Sequence, residues 1–428
     1  SLAGSDAGAA ALLDRLGIPR VHDLTTFLET LMLLHCNGAL SSNALSSISC
    51  SGGEASLVAD VAAPFDVRFP ALTDPQKVAL ADALGPMVAL SNPLDYHTYV
   101  WNDLPRMIAA WRPMAAEHIA VVLIILDYPH TDATAWDNAT RAAIAVRHET
   151  GRPVAVVATL PELLPQAVAA ERLVAGVTPL HGLTEALGAA SAATRVRAPL
   201  AVPPLQIGGE GVPVVLSETD AKPLLARHGV LVPRHVTARK GQLAASARSL
   251  RPPFVLKALG FAHKSEAGAL RLNLQADGLE PASDAMPGEM FLVEEMVGDA
   301  VAELLVGVTR DAAHGFLMTV AAGGVLTELL QDRASFLLPA DRQTVADALG
   351  KLRIYPQLTG YRGAAGADLD AVLDAIMAVQ DYVVADRHAL YEVEINPLMC
   401  TPRSAIAADA LIARLNDTPE AGETNGPD

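Results

Sequence analysis

Near its C-terminus the chain reads Tyr391-Glu-Val-Glu-Ile-Asn-Pro397 and, after a short excursion, Ala407-Ala-Asp409. Side chains in an extended segment alternate between faces, so Glu392, Glu394 and Asn396 share one face. Pro397 should end this strand, because it has no N–H for the ladder. Asp409 follows a second expected strand, Ser404–Ala408, lying beside the first. Carboxylate and amide oxygens converging in this way are hard ligands, suited to Mg²⁺ carried by a nucleotide. The pattern fits an edge strand with a solvated acidic face equally well, so residues upstream must decide.

Lys257 ends the apolar run Phe254-Val-Leu-Lys257. An ammonium on a buried stem at a strand end suits a phosphate, although a lone lysine there also snorkels to water. His263 lies in His263-Lys264-Ser265-Glu266-Ala-Gly268. Imidazole is nucleophilic near neutral pH and can carry a phosphoryl group, whereas a lone loop histidine is more often simply solvated. The strand Phe291–Val293 runs into Glu294-Glu295-Met296-Val297, a hinge whose backbone groups can meet an adenine edge. Gly323-Gly324 lets backbone N–H groups approach phosphates, with Glu328 and Asp332 following. Ser51-Gly52-Gly53 stands between a strand and a helix, where free N–H groups and the helix dipole make an anion site. Ser91-Asn92-Pro93-Leu94-Asp95-Tyr96-His97 follows the short apolar run Met87–Leu90, at a position where open α/β sheets bind ligands, and a Pro-Asp turn explains it as well. The aromatic residues Tyr96, Tyr99 and Trp101 either line an acyl pocket or pack.

These groups need elements to hold them. Residues 8–35 read as helical, capped within by Asp23, with Leu24, Phe27, Leu28, Leu31 and Leu34 at i, i+3, i+4, i+7 spacing. Expected strands Ala44–Cys50, Met87–Leu90, Ile119–Leu126 and Val154–Ala158 alternate with helices from Glu54, at Trp136–His148, Glu162–Leu173 and Leu183–Ala193. Such alternation implies a doubly wound parallel sheet. The Pro- and Gly-rich stretch 196–213 reads as a linker. Beyond it, a helix Glu218–His228 is followed by strands Phe254–Ala258, Arg271–Leu274, Met290–Glu295 and Glu303–Thr309, then by helices Asp341–Lys351 and Asp370–Asp386. Residues 416–428 read as a polar, disordered tail.

A chain of 428 residues, 51% hydrophobic and 4% aromatic, has room for several α/β domains. The net charge of −17 argues against nucleic acid or an anionic membrane as partner. No apolar run reaches the roughly 18 residues of a membrane span, and three cysteines suggest a reducing, cytoplasmic setting without disulfides.

In order and spacing, Lys222, Lys257, His263-Lys264-Ser265 with Gly268, Glu303, Gly323-Gly324, Gly360-Tyr361-Arg362-Gly363, Glu394-Ile-Asn396-Pro397 and Asp409 resemble the ATP-grasp unit of NDP-forming acyl-CoA synthetases, relatives of succinyl-CoA synthetase. Ser51-Gly52-Gly53-Glu-Ala-Ser-Leu-Val-Ala-Asp60 and Asn92-Pro-Leu-Asp95 resemble the ligase-CoA domain that precedes it in single-chain members. The resemblance implies a flavodoxin-like, doubly wound parallel-sheet domain (41–195), preceded by the remnant of a CoA-ligase domain (1–40) and followed by an α+β ATP-grasp fold of two subdomains (214–415). It implies Lys222 and Lys257 on ATP phosphates, the Glu294, Glu295, Met296, Val297 hinge on adenine, and Glu303 near ribose or phosphates. It further implies Asn396 and Asp409 on Mg²⁺, Glu394 beside an arriving phosphohistidine, and His263 as a second phosphohistidine. A first phosphohistidine, in a Ser-His-Thr-Gly loop, and the CoA-binding Rossmann domain would lie before residue 1, leaving the fragment inactive. Leu337 departs from the arginine that relatives often carry. The implied substrates are ATP, CoA and a small carboxylic acid, the implied assembly a homodimer. The rival is a non-catalytic nucleotide-binding module, as in relatives fused to an acetyltransferase.

Overall fold

The computed structural model describes residues 4–261, 267–324 and 332–416. The chain divides into two compact units, Leu13–Leu200 and Ser1–Leu12 with Ala201–Asp428.

The first unit is built on five parallel strands, β1 (Leu45–Ser49), β2 (Leu94–Asp95), β3 (Val121–Ile125), β4 (Val154–Ala158) and β5 (Thr178–His181), in the order β2-β1-β3-β4-β5. Every residue of β1, β3 and β4 is buried, as expected for a sheet covered on both faces. One face packs Ile48, Val122, Ile124 and Val156 against Leu80, Met107, Trp111 and Val146 of helices at 74–84, 104–111 and 137–150. The other packs Leu45, Val121, Leu123 and Val157 against Leu33, Val58, Leu187 and Ala190. The strand order reverses between β1 and β3, and their carboxyl ends mark the place where doubly wound sheets bind ligands.

Three local expectations change here. The helix foreseen over 8–35 is two, α1 (Asp6–Arg15) and α2 (Leu24–Asn37), separated at Gly17, whose φ is +68°. Asp23 caps α2 by accepting from the Thr26 amide at 2.7 Å. Leu24, Phe27, Leu28 and Leu31 face solvent, while Thr30 and Leu33 face the core. Thr30 tolerates burial because its hydroxyl bonds back to the Thr26 carbonyl at 2.6 Å. α2, expected in the remnant 1–40, is therefore part of this unit's packing. Met87–Leu90 forms no strand: the helix before it stops at Gly85, and the chain pairs with β1 only at Leu94–Asp95. Asn92 is a clamp on β1, its amide accepting from Ser47 N at 3.1 Å and donating to the Leu45 carbonyl at 2.9 Å. The aromatic cluster packs, with Tyr96 edge-on to Trp111 and Trp101 edge-on to Trp136.

The second unit holds two antiparallel sheets. β7 (His235–Arg239), β8 (Phe254–Ala258), β9 (Leu270–Leu274) and β10 (Met290–Glu295) form the smaller, in the order β7-β10-β8-β9, over a core of Leu243, Phe254, Leu256, Phe291 and Val293. β6 (Val212–Val215), β11 (Ala302–Asp311), β12 (Gly315–Ala322), β13 (Arg333–Leu337), β14 (Leu390–Cys400), β15 (Ala405–Ala407) and β16 (Ala410–Asn416) form the larger, ordered β13-β12-β11-β14-β16-β6 with β15 on β14. Its main core packs Val306, Met318, Val393 and Ile412 against Val345, Ile376, Val379 and Leu225 of helices. Residues 212–213, at the end of the expected linker, already belong to β6. Pro397 does not end β14. Between Leu304↔Leu398 and Val306↔Ile395 the register slips, so Asn396 and Pro397 together oppose Leu305, a bulge where the missing N–H of proline is tolerated.

The first residues dock on this unit. Ser5 donates from N and Oγ to Asp311 Oδ2 at 2.9 and 2.6 Å, and Ala11 packs with Leu317 and the buried Leu337. Leu337 thus serves packing, where an arginine would have been a polar group.

Candidate functional site

The helix Glu218–Ala226 sets Glu218 and Lys222 one turn apart, both buried. The Lys222 ammonium lies 2.7 Å from Glu218 Oε1, bonds Glu294 Oε1, and donates to the Ala408 carbonyl at 2.8 Å. Lys257, at the end of β8, meets the same three groups: Glu218 at 2.6 Å, Glu294 Oε2 at 2.8 Å and the Ala408 carbonyl at 2.7 Å. Each ammonium therefore has three acceptors for its three donors, the condition under which a buried charge is tolerable. Burial, reinforced by the neighbouring Lys257, holds Lys222 below the ordinary lysine range. Burial pulls Lys257 the same way, but Glu294, Glu218 and Asp409 outweigh it and raise it. Both lysines, expected on phosphates, are held by carboxylates here. Glu294, expected in the adenine hinge, turns its side chain into this cluster.

The cluster fixes the next residue along. Both ammoniums hold the Ala408 carbonyl, and the Ala408 amide donates to the Pro397 carbonyl at 3.0 Å. Asp409 is thereby brought to the bulge that carries Asn396, and both are half-buried. Asp409 Oδ1 accepts from the Ala410 amide at 2.9 Å. A carboxylate and an amide oxygen at one corner fit Mg²⁺, which takes few protein ligands and completes its shell with phosphates and water. Among the described residues no group of three or more His, Cys, Asp or Glu is arranged for a metal. Glu392, Glu394 and Asn396 do share the half-exposed face of β14. Gly307 of β11 lies opposite Glu394 and puts no side chain of its own beside that carboxylate. Burial and the charge of Glu394 push the Glu392 carboxyl up.

Glu303, Gly323 and Gly324 also meet. The Gly323 amide donates to the Glu303 carbonyl at 2.8 Å. Gly324 has φ +78°, and a Cβ on it would stand 2.7 Å from Glu303 Oε2. Gly324→Ala should therefore destabilise the protein by about 1–3 kcal/mol, from the strained backbone and the displaced carboxylate, read as a lowered midpoint in urea. Asp332, the acid that follows this turn in the sequence, accepts from the Arg353 and Ile354 amides at 2.7 and 3.0 Å.

Beyond Glu294 the hinge lines a cavity of about 340 Å³ with Val232, Arg234, Met296, Val297, Thr401 and Ile406 among its walls. Its walls are charged and hydroxyl-bearing, with Arg234, Glu295, Asp299, Arg403, Thr401 and Ser404, as much as apolar, so a ring bound there would meet polar partners as well as apolar faces. Glu295 stays at the edge, accepting from Arg234 and from the Arg251 amide at 3.1 and 3.0 Å.

In the other unit helix α3 (Gly52–Ala62) begins at Ser51-Gly52-Gly53, just after the carboxyl end of β1. His263 and Glu328 lie outside the described residues. Sequence reasoning missed Glu218, although its i, i+4 spacing to Lys222 was a signal. It also missed Glu54, an acid in the first turn after Gly52-Gly53.

Residues 210–413 match the ATP-grasp domain model. A trans-feruloyl-CoA synthase from an unknown prokaryotic organism is 32% identical over 231 residues, 50% of this chain and 32% of that protein. The acetate–CoA ligase [ADP-forming] I subunit beta of Pyrococcus furiosus is 28% identical over 211 residues, 46% of this chain and 90% of that subunit. Among solved structures, an acetyl-coenzyme A synthetase 1 of Ca. Korarchaeum cryptofilum is similar at 25% identity and TM-score 0.44, covering 47% of this chain and 93% of that one. The chain thus spans about a third of the synthase and most of the β subunit. Its second half matches an ATP-grasp domain and is similar in sequence to ADP-forming acetate–CoA ligases.

Proposed function

We propose that this chain supplies the ligase-CoA and ATP-grasp parts of an ADP-forming acyl-CoA synthetase, with the reaction ATP + acid + CoA ⇌ acyl-CoA + ADP + phosphate. The observation that carries this reading is the convergence, inside the ATP-grasp domain, of the hinge cavity, the buried lysines and the Asn396–Asp409 corner. The hinge would take the adenine of ATP and the Glu303–Gly324 turn its phosphates. Mg²⁺ held by Asn396 and Asp409 would offset charge on the β- and γ-phosphates. Glu394, half-exposed on its sheet face, would receive a histidine that takes the γ-phosphoryl group as ADP leaves. A carboxylate is a poor acyl donor, and an acyl phosphate made from it gives the CoA thiolate a leaving group to displace. Carrying phosphoryl on histidine lets two separate anion-stabilising sites share the work. Within this reading His263 is a second carrier, and Ser51–Gly53 present the helix terminus that cradles the phosphoryl group.

The relatives' names carry two acid classes, acetate and ferulate, so the acid panel must include both. The experiment is nucleotide product analysis with ATP, CoA and that panel, run on the full-length protein. ADP and phosphate formed in step with thioester support the reading. AMP and pyrophosphate, or thioester without nucleotide turnover, overturn it.

A further inference from the structure

At the β1/β3 switch point of the parallel unit stands a cluster that the reaction above leaves unused. Glu54, in the first turn of α3, has its Oε2 enclosed without a hydrogen-bond partner. Tyr96, directly after β2, is 1% exposed, and its hydroxyl has no partner either. Burial, and then the negative groups Cys50, Glu54 and Asp95, push that hydroxyl up, so these groups lie near it. Asp127 and Tyr128, following β3, and Cys50, following β1, complete the cluster. Two of the acids are already engaged. Asp127 accepts from Thr159 N and Oγ1 at 2.7 and 2.6 Å, and Asp95 from the His97 amide at 2.9 Å, with the His97 ring 3.8 Å away. Glu54 and Tyr96 are the buried polar groups left over.

An oxyanion at the α3 terminus would meet the positive end of the helix and its free amides. It would also meet Asp95, Asp127 and an ionised Glu54, a repulsive set. Protonating Glu54 removes one of those charges and adds a donor. Burial, then Asp127 and Asp95, push its carboxyl up to about 7, so the proton is within reach at neutral pH. Cys50 is pushed up to about 11 and keeps its thiol proton.

We propose that the α3 terminus binds a tetrahedral oxyanion with Glu54 protonated, the Glu54 carboxylic acid and the Tyr96 hydroxyl donating to it, so that binding takes up one proton from solvent. This deepens the phosphoryl reading of Ser51–Gly53 and rests on it. It makes the parallel unit a proton-coupled anion site, in which release of the anion returns the proton.

The probe is sulfate, which does not titrate between pH 6 and 8, measured by calorimetry on the full chain. Wild type should bind about tenfold more tightly at pH 6 than at pH 8, the linkage of one proton to a group titrating near 7. Glu54→Gln, whose amide donates at every pH, should bind alike at both, near the wild-type affinity at pH 6. Tyr96→Phe, which leaves the ring in place, should weaken sulfate several-fold at both pH values and keep the pH dependence. Equal wild-type affinity at pH 6 and 8, an unchanged pH dependence in Glu54→Gln, or no sulfate binding at pH 6 would each overturn the proposal. None of those results touches the nucleotide product analysis, and release of AMP would overturn the synthetase reading without altering the sulfate titrations.

Discussion

Glu294→Ala should cost the fold about 3–5 kcal/mol, because it leaves two buried ammoniums each short of an acceptor. Lys222 and Lys257 both bond Glu294, through different oxygens, and neither has water to turn to. Urea denaturation of wild type and variant measures the loss, and a difference below about 1 kcal/mol would show that the cluster contributes little. Pairing Glu294→Leu with Lys222→Met should cost less than the sum of the two changes, since the pair removed together leaves no stranded charge. The pH sign follows from Lys257. Its folded pKa is raised above the usual 10.5, so its contribution is complete below that pH and is lost as the pH climbs through the folded value. The stability of wild type should therefore fall more steeply above pH 10.5 than that of Glu294→Ala.

Asp409→Ala should weaken Mg·ATP by about 100-fold, close to 3 kcal/mol, because it removes the one carboxylate of the proposed metal corner. Asp409→Asn is the sharper variant. Its amide oxygen can still accept from the Ala410 amide, so the turn is kept while the charge is lost. A loss in both variants assigns the effect to charge, and a loss in Asp409→Ala alone assigns it to the turn. Calorimetric titration with Mg·ATP and with metal-free ATP separates the metal from the nucleotide. Affinity unchanged in both variants would remove Asp409 from the site.

The legible parts of this site were those fixed by local rules. The period of two along β14 put Glu392, Glu394 and Asn396 on one face, and the alternation of apolar runs with helices gave the parallel sheet. Lys257 was visible as a cation at the end of an apolar run. Its partners were not, because Glu218 and Glu294 lie 39 residues before it and 37 after it, one on the helix Glu218–Ala226 and the other on the neighbouring strand β10, and they meet it only in the folded unit. The same limit hid the Asn92 clamp. Nothing local says that an amide in a Pro-Asp turn will bond the backbone of a strand 45 residues away. The stripe on α2 misled for another reason: helical spacing marks an apolar face without saying which face the fold covers. Pro397 misled because a bulge, which depends on the partner strand's register, removes the need for its missing donor.

The position of β14 within its sheet also has a bearing on motion. It is flanked by β11 on one side and by β16 and β15 on the other, so the amides between Val393 and Ile395 are shielded from exchange with solvent deuterium. They should exchange only when the whole unit opens, whereas the edge strand β9, paired on one side by β8, should exchange through local fraying. Glu394 and Asn396 then ride on an interior strand of the large sheet. Any clamping on a nucleotide would fall to the four-stranded sheet, with the large one acting as the anvil.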